Sequence, residues 1–493
     1  MITVLKAGPP EVFQRTNMFN DGSGGFSMNT ILRLNIYIFR NRLLFIVGII
    51  NSDIKKGGYS MSKRLTKWLS VILLMSVFFT ACSSTKEAIQ YEGDSKMQAT
   101  ITVKYSGGDE AFNFFYGDLF RAKYPNIDVK LINNLEDEPD VLLLSFAKYG
   151  EYLDEGKLYD LNNVITDEAF KLENMNQDVI DFVRKRGRGK LYGLPPYFNN
   201  QALFYNKDMF DKYNIPYPTD GMTWEEVLQL AKRFPLEDEE GGLYTRSLSD
   251  LLSNMQQTKG LERINTKDMK VTVNTDSYKE LFETILDANE SQALNIFEHD
   301  GFAKNDPFIM GQSAMAFEYY SYLNNNIYWA KQERGEDFNL NWNVVTAPVD
   351  ESNREATPYF FIPTIFAINA KAQNVQAAWE FVKFINGEEF AKIHSRTTTG
   401  DIPTRTDYVY NPEGKRMEVF YSNLKMDWAV VSDRDYKKIP INVWDTFNGI
   451  VASELKAAAV GVKTIDEALG SIEERGQVLL DKQSVENSMA DDK

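Results

Sequence analysis

From residue 99 onward, the spacing of apolar positions alternates between about two and about 3.6 residues, the periods of strands and helices. Residues 100–105 read as a strand, 106–108 as a tight loop, and 111–124 as an amphipathic helix that Asp109 is placed to cap. A second strand, 127–132, has apolar residues at alternate positions. Val141, Leu142, Leu143 and Leu144 form an unbroken apolar strand, the kind that helices cover on both faces. Ala202, Leu203, Phe204 and Tyr205 make another short buried strand, and Asn206 caps a helix, 207–213, that Asn214 and Pro216 stop. Thr223 opens the next helix: Glu226 completes a capping box, and Met222 and Val227 stand where a hydrophobic staple closes. Val227, Leu230, Ala231 and Phe234 share one face of that helix. Residues 235–305 read as mainly helical and polar, 308–317 as a helix end, a glycine and a strand, 377–385 as an amphipathic helix, and 443–480 as helices.

This order of elements is an α/β pattern, and a length of 493 residues corresponds to two or three domains. In open α/β sheets, ligands sit beyond the carboxyl ends of the strands. That rule makes the loop 106–110, with Asp109 and Glu110, and the segment 145–149, which starts at Ser145, candidate site positions. Ser106-Gly107-Gly108 either holds an anion on its backbone N–H groups or forms a plain turn. It lacks the lysine of a phosphate-binding loop and the spacing of a dinucleotide fingerprint.

A different pattern precedes the α/β region. Lys63, Arg64 and Lys67 are followed by an apolar run, 68–79, that is short for a membrane span, and then by Phe79-Thr80-Ala81-Cys82. This resembles a bacterial lipobox, with Phe79 where leucine is usual. The resemblance makes 61–81 a lipoprotein signal peptide, Cys82 the lipidated mature N-terminus, and 82–98 a polar tether. Upstream, Lys55-Lys56-Gly57-Gly58 are residues that an A-rich and then G-rich ribosome-binding site encodes when translated, so 1–60 is expected to be an over-called N-terminal extension. The competing reading, a transmembrane helix over 31–50, has to bury Arg33, Arg40 and Arg42.

Composition narrows the function classes. The formal net charge is -16, so a basic footprint for nucleic acid is absent. One cysteine allows no disulfide within the chain and no zinc cluster, and two histidines, His299 and His394, do not make a His-rich metal site. Glu237-Asp238-Glu239-Glu240-Gly241 lacks the alternating ligand spacing of a calcium loop. There is no nucleophile elbow, HExxH or P-loop. A glycosidase needs two carboxylates across a cleft, but with 70 Asp plus Glu some pair is always available, so availability decides nothing. No cofactor and no metal are expected.

Several motifs in order carry a resemblance. Gly189-x-x-Tyr192-Gly193-Leu194-Pro195 is followed by Ala202-Leu203-x-Tyr205-Asn206-Lys207-Asp208-x-Phe210, and then by Thr223-Trp224-Glu225-Glu226 before an amphipathic helix. Pro139-Asp140-Val141 with the run 153–161, the segment 308–317, the helix 377–385 and Gly400-x-x-Pro403-x-Arg405 continue the series. Together they resemble the family 1 extracellular solute-binding proteins, the maltose-binding-protein-like receptors of ABC importers, over nearly all of residues 99–482.

The resemblance implies a two-lobed periplasmic-binding-protein type II fold with discontinuous lobes and a hinge. Lobe 1 would comprise 99–200 plus 360–405, and lobe 2 would comprise 203–357 plus 410–485, with crossings near 200–202, 357–361 and 405–408. It implies a monomeric receptor that takes a small-molecule solute, a sugar or oligosaccharide, and hands it to ABC permease subunits. The receptor would be held on the outer face of a Gram-positive cell membrane by lipid on Cys82. The aromatic content of 13% suits stacking on sugar faces. Asp109, Glu110 and Ser145 would face the solute from lobe 1, with Asn199 and Asn200 beside the first crossing. Tyr319, Tyr320 and Trp444 would face it from lobe 2, with Arg405 near the third crossing. Glycines are frequent near 357–361 in the family; Tyr359 and Phe360 stand there in this chain, and are expected to fill part of the cleft. The alternatives are a secreted glycosidase and a sensory or adhesive lipoprotein on the same fold.

Overall fold

Among the described residues, twelve short strands carry the two main sheets and the crossing between them. In chain order they are β1 (Ala99–Lys104), β2 (Ile127–Ile132), β3 (Val141–Leu144), β4 (Gly193–Leu194), β5 (Tyr197–Phe198), β6 (Gln201–Asn206), β7 (Gly241–Thr245), β8 (Leu294–Ile296), β9 (Ser313–Tyr319), β10 (Trp342–Thr346), β11 (Ile365–Ile368) and β12 (Ile402–Pro403). The structure, a computed structural model, describes residues 96–132, 138–165, 170–235, 240–298, 305–397, 400–422, 425–426 and 439–491. Cys82, the signal segment 61–81, the extension 1–60, most of the tether, 237–239 and His299 lie outside the described residues. Among the described residues no helix is long and apolar enough to cross a membrane.

Two five-stranded sheets result, in the orders β2-β1-β3-β11-β4 and β8-β7-β9-β6-β10. In the first, β1 pairs in parallel with β2 and β3, and β11 runs antiparallel to β3 and β4. In the second, β7, β8 and β9 are parallel, and β6 runs antiparallel to β9 and β10. Strand β11 reaches the first sheet only after the chain has built the second, so each lobe is assembled from separated stretches of chain. The aspartate of the Pro139-Asp140-Val141 motif locks the first sheet. Its carboxylate accepts the Thr102 amide and hydroxyl at 2.8 Å each and the Gln373 amide at 2.8 Å.

Local capping follows the sequence closely. Thr223 accepts the Glu226 amide at 3.2 Å, Glu226 accepts the Thr223 amide at 2.8 Å, and the helix Trp224–Ala231 begins there. The first helix differs from its expected form. It starts at Gly108, one residue before Asp109, so Asp109 and Glu110 are exposed first-turn residues and Asp109 is no cap. It also contains a π-helical segment, Asn113–Gly117, before Asp118–Lys123.

The second sheet corrects the reading of residues 235–305 as mainly helical. Its described residues hold two helices, Leu248–Thr258 and Asp276–Glu290, but β7 and β8 stand among them. Strand β7 opens with two glycines, which gave no apolar signal. A Cβ on Gly242 would lie 2.2 Å from the Ala231 carbonyl oxygen, so the bare backbone is what lets the helix Trp224–Ala231 lie against the strand.

Three chain segments join the sheets and lie side by side. Strand β5 pairs with β12, and Asn199 exchanges both backbone hydrogen bonds with Phe361 at 2.9 Å. Thr404 donates its amide to Pro196 O and its hydroxyl to Pro195 O. Beyond β12, the turn Met417–Phe420 packs Phe420 against Phe204 of β6 and against Tyr320, so one apolar cluster is continuous from the first sheet to one face of the second.

Candidate functional site at the carboxyl ends of the strands

The crossing segment brings four of the sequence-selected residues together. Asn199 donates its amide NH2 to Gly400 O and Asp401 Oδ1, both at 2.9 Å. Asn200 donates to Phe420 O at 2.9 Å, and its backbone oxygen accepts the Tyr320 amide at 2.9 Å. Tyr319, the last residue of β9, is opposite Gln201 in register. Tyr319 is 37% exposed and its ring meets Phe361 edge-on at 5.5 Å, forming an aromatic corner that opens to solvent. Tyr320 differs: its ring is buried against Phe420, and burial drives its hydroxyl pKa up. As a binding aromatic, Tyr319 fits the geometry; Tyr320 serves as a packing residue.

The first sheet contributes an edge of its own. Asp109 and Glu110 follow β1, and Ser145 follows β3, its neighbour in the sheet. All three are exposed, and Ser145 Oγ accepts the Lys148 amide at 3.3 Å as the cap of helix Phe146–Asp154. Next to the crossing, the Tyr116 and Tyr197 hydroxyls are 2.6 Å apart, and His394 stacks on Tyr197 at 5.1 Å. Burial holds His394 down at about 4, so it is uncharged at neutral pH. Burial also pushes the Asp401 carboxyl up to about 6, against the opposing hydrogen bond from Asn199.

Two sequence-selected residues lie elsewhere. Arg405 is 2% exposed, and its guanidinium donates to Asn386 O at 2.8 Å, Lys171 O at 3.2 Å and Phe170 O at 2.6 Å. Its donors are committed to tying chain segments together, which corrects its assignment as a solute donor. Trp444, on the helix Ile441–Ala459, lines a separate cavity of about 210 Å³ with Gln256, Arg263, Thr266 and Asn448. Tyr359 and Phe360 do not fill the cleft either. Tyr359 joins the core of the second sheet, hydrogen-bonded to the Trp224 indole at 2.8 Å, and Phe360 packs on Phe182.

The sequence reading missed a charged group at the carboxyl ends of β7 and β9. Strand alternation places Glu318 on the face of Ala316 and Arg246 on the face of Tyr244, and Ala316 is opposite Tyr244 in register. The Arg246 guanidinium lies 3.7 Å from the Glu318 carboxylate. Glu318 is 9% exposed, and burial pushes its carboxyl up to about 7 although Arg246 opposes the shift. Behind it, fully buried Asp306 accepts the Tyr322 hydroxyl at 2.8 and 2.9 Å and the Ile309 amide at 2.9 Å; burial pushes it up to about 6. The available signal was a glutamate within the apolar strand 313–319. Arg246 carried no such signal, because the strand before it was not visible.

Residues 126–420, more than half of the 493-residue chain, match the family described as bacterial extracellular solute-binding protein. Among curated proteins, the maltodextrin-binding protein MdxE of Bacillus subtilis (strain 168) is 22% identical over 178 residues, which is 34% of this chain and 39% of that protein. Among solved structures, a family 1 extracellular solute-binding protein of Alicyclobacillus acidocaldarius superposes with a TM-score of 0.59 at 13% identity, covering 79% of this chain and 100% of that one. The sugar-binding protein MalE of Xanthomonas citri superposes with a TM-score of 0.56 at 15% identity, covering 79% and 99%. At these identities the superpositions speak for the two-lobed fold, and the family match speaks for membership: the chain belongs to the bacterial extracellular solute-binding proteins.

Proposed function

We propose that this chain is the carbohydrate receptor of an ABC importer, anchored to the outer face of the cell membrane by lipid on Cys82, and that it closes two lobes on a sugar or oligosaccharide and delivers it to the permease. The observation that carries the reading is the solvent-open Tyr319–Phe361 corner, set beside the crossing at the end of β9. Rings supply apolar area for a sugar face, and convergent polar groups orient its hydroxyls. Asp109, Glu110 and Ser145 would meet the solute from the first sheet. Asn199 and Asn200 are positioning residues, since both amides hold the crossing strands. Motion about the three crossing segments would be a hinge closure. The names of two relatives, a maltodextrin-binding and a sugar-binding protein, support the solute class.

A thermal-shift screen of the mature protein against mono- and oligosaccharides tests this reading. A ligand that binds only the native state raises the melting temperature by mass action. At least one neutral sugar should do so in a saturable way; a screen in which none does would refute the carbohydrate assignment.

A further inference from the structure

Arg184, Lys185, Arg186, Arg188 and Lys190 put five cations within seven residues of a chain whose net charge is -16. They end the helix Gln177–Arg186 and form the turn that leads into β4. The turn is held tight by its glycines: a Cβ on Gly187 would lie 2.1 Å from the Lys190 carbonyl oxygen, and Gly189 has a φ of 95°. The cations are only partly answered. Arg184 pairs with Asp181 and Lys190 with Asp160, both at 2.7 Å, while Arg186 and Arg188 share Asp154 at 3.3 Å each. Lys185 is exposed and has no ion pair among the described residues. Three carboxylates for five cations leave an excess of two positive charges. The Arg188 side chain is 85% exposed and that of Lys190 58%, and exposed pairs hold their partners weakly.

The sheet decides where this turn lies. Strand β4 is antiparallel to β11, and β11 is antiparallel to β3, so β4 runs parallel to β3 and β1. Gly193, Ala367, Leu142 and Lys104 form one row across the sheet. The turn before β4 and the start of β1 at Ala99 therefore leave the sheet at the same end, opposite the carboxyl ends that carry Asp109, Glu110 and Ser145. Backbone bonds tie that end together, from Asn369 N to Asp140 O at 2.9 Å and from Leu161 N to Leu191 O at 2.8 Å. Two further pairs there, Lys157–Glu155 and Lys371–Glu138, are balanced in charge. The chain coming from Cys82 enters the fold at this end, at Lys96, and the stretch between them spans at most about 50 Å when extended.

We propose, resting on the lipid anchor at Cys82 put forward above, that the turn 184–190 is a membrane-contact surface: it takes the phosphates of anionic lipid headgroups and holds the first lobe with its amino end on the bilayer. Guanidinium groups fork onto phosphate oxygens, and lysine ammonium groups add point charge. The partner is anionic because the excess charge of the turn is positive. It is the bilayer because the anchored chain enters the fold at the same end, which gives the headgroups a high effective concentration. The rest of this acidic chain is repelled by the same surface, so the contact orients the molecule as well as holding it. In that pose the candidate site faces away from the bilayer, toward incoming solute. An excess of two charges is a small attraction that salt screens, so the contact releases readily and the receptor turns over on its tether to deliver.

The experiment is lysine acetylation, read residue by residue by mass spectrometry, on the acylated protein purified from membranes. It is reconstituted in vesicles of phosphatidylcholine alone or of phosphatidylcholine mixed with phosphatidylglycerol. At low salt, Lys185 and Lys190 should react roughly fivefold more slowly in the anionic vesicles than in the neutral ones. Lys456, exposed on the helix Ile441–Ala459, should react equally in both. The protection should vanish at about 0.5 M salt. Arg188→Glu reverses one exposed charge and should abolish the protection of both lysines. Equal labelling in the two vesicle types would overturn the proposal, as would protection that survives Arg188→Glu; either result leaves the anchor and the carbohydrate reading standing. Soluble poly(glycerol phosphate) that protects the same lysines in neutral vesicles as strongly as the anionic lipid does would reassign the surface to a wall polymer and overturn the membrane assignment. If Cys82 carries no acyl chain, the anchor and this proposal fall together.

Discussion

The buried carboxylate at Glu318 makes a stability prediction that needs no ligand. In the unfolded chain it titrates near 4.5, and in the native protein near about 7. The native state therefore holds its proton more tightly, and the sign follows from linkage. Below the unfolded value both states are protonated and the residue is neutral to stability. As pH rises from 4.5 to 7, the unfolded state ionises first and native stability is lost; above about 7 the loss is complete. The displacement corresponds to about 3 kcal/mol in full, of which about 2 kcal/mol falls between pH 5 and pH 8. Glu318→Gln keeps the size of the side chain and cannot ionise. In urea unfolding of the ligand-free protein, the variant should gain about 2 kcal/mol on wild type between pH 5 and pH 8. Comparing variant with wild type at each pH removes the contributions common to both, including Asp306 and Asp401. A pH-independent difference would mean that Arg246 outweighs burial and keeps Glu318 ionised throughout, which would refute the reasoning.

Three further outcomes are expected. Arg405→Met should destabilise the protein by about 3 kcal/mol, because the buried carbonyls it satisfies lose their donor, and should leave sugar affinity unchanged; weaker binding at unchanged stability would return Arg405 to the solute site. Tyr319→Ala should fold normally and weaken the sugar found by thermal shift roughly tenfold, whereas Tyr320→Ala should cost about 3 kcal/mol of stability through the cavity it leaves; the opposite pattern would exchange their roles. Cys82→Ala should move the protein from the detergent-soluble membrane fraction to the medium, or leave it unprocessed, since a lipid anchor needs the sulfur; wild-type fractionation and mobility would rule the anchor out.

What the sequence determined by itself was local and periodic. The capping box at Thr223 and Glu226, the apolar strand Val141–Leu144 and the alternating strand Ile127–Ile132 each depend on contacts within a few residues or on the burial of one face, and both leave a pattern in the chain. The family motifs were legible too, but their roles were not. Asp140 and Arg405 look like functional polar residues in a sequence, and only the fold shows their side chains bound to backbone groups of distant segments. Strand β7 was hidden because its two glycines are selected by the close approach of a helix, a constraint with no periodicity. The choice between Tyr319 and Tyr320 rests on which way the chain turns at the end of β9. The pairing of Arg246 with Glu318 requires β7 and β9 to be neighbours in one sheet. Both are decided by long-range packing, because a strand's side-chain alternation says which residues share a face but not which partner stands opposite.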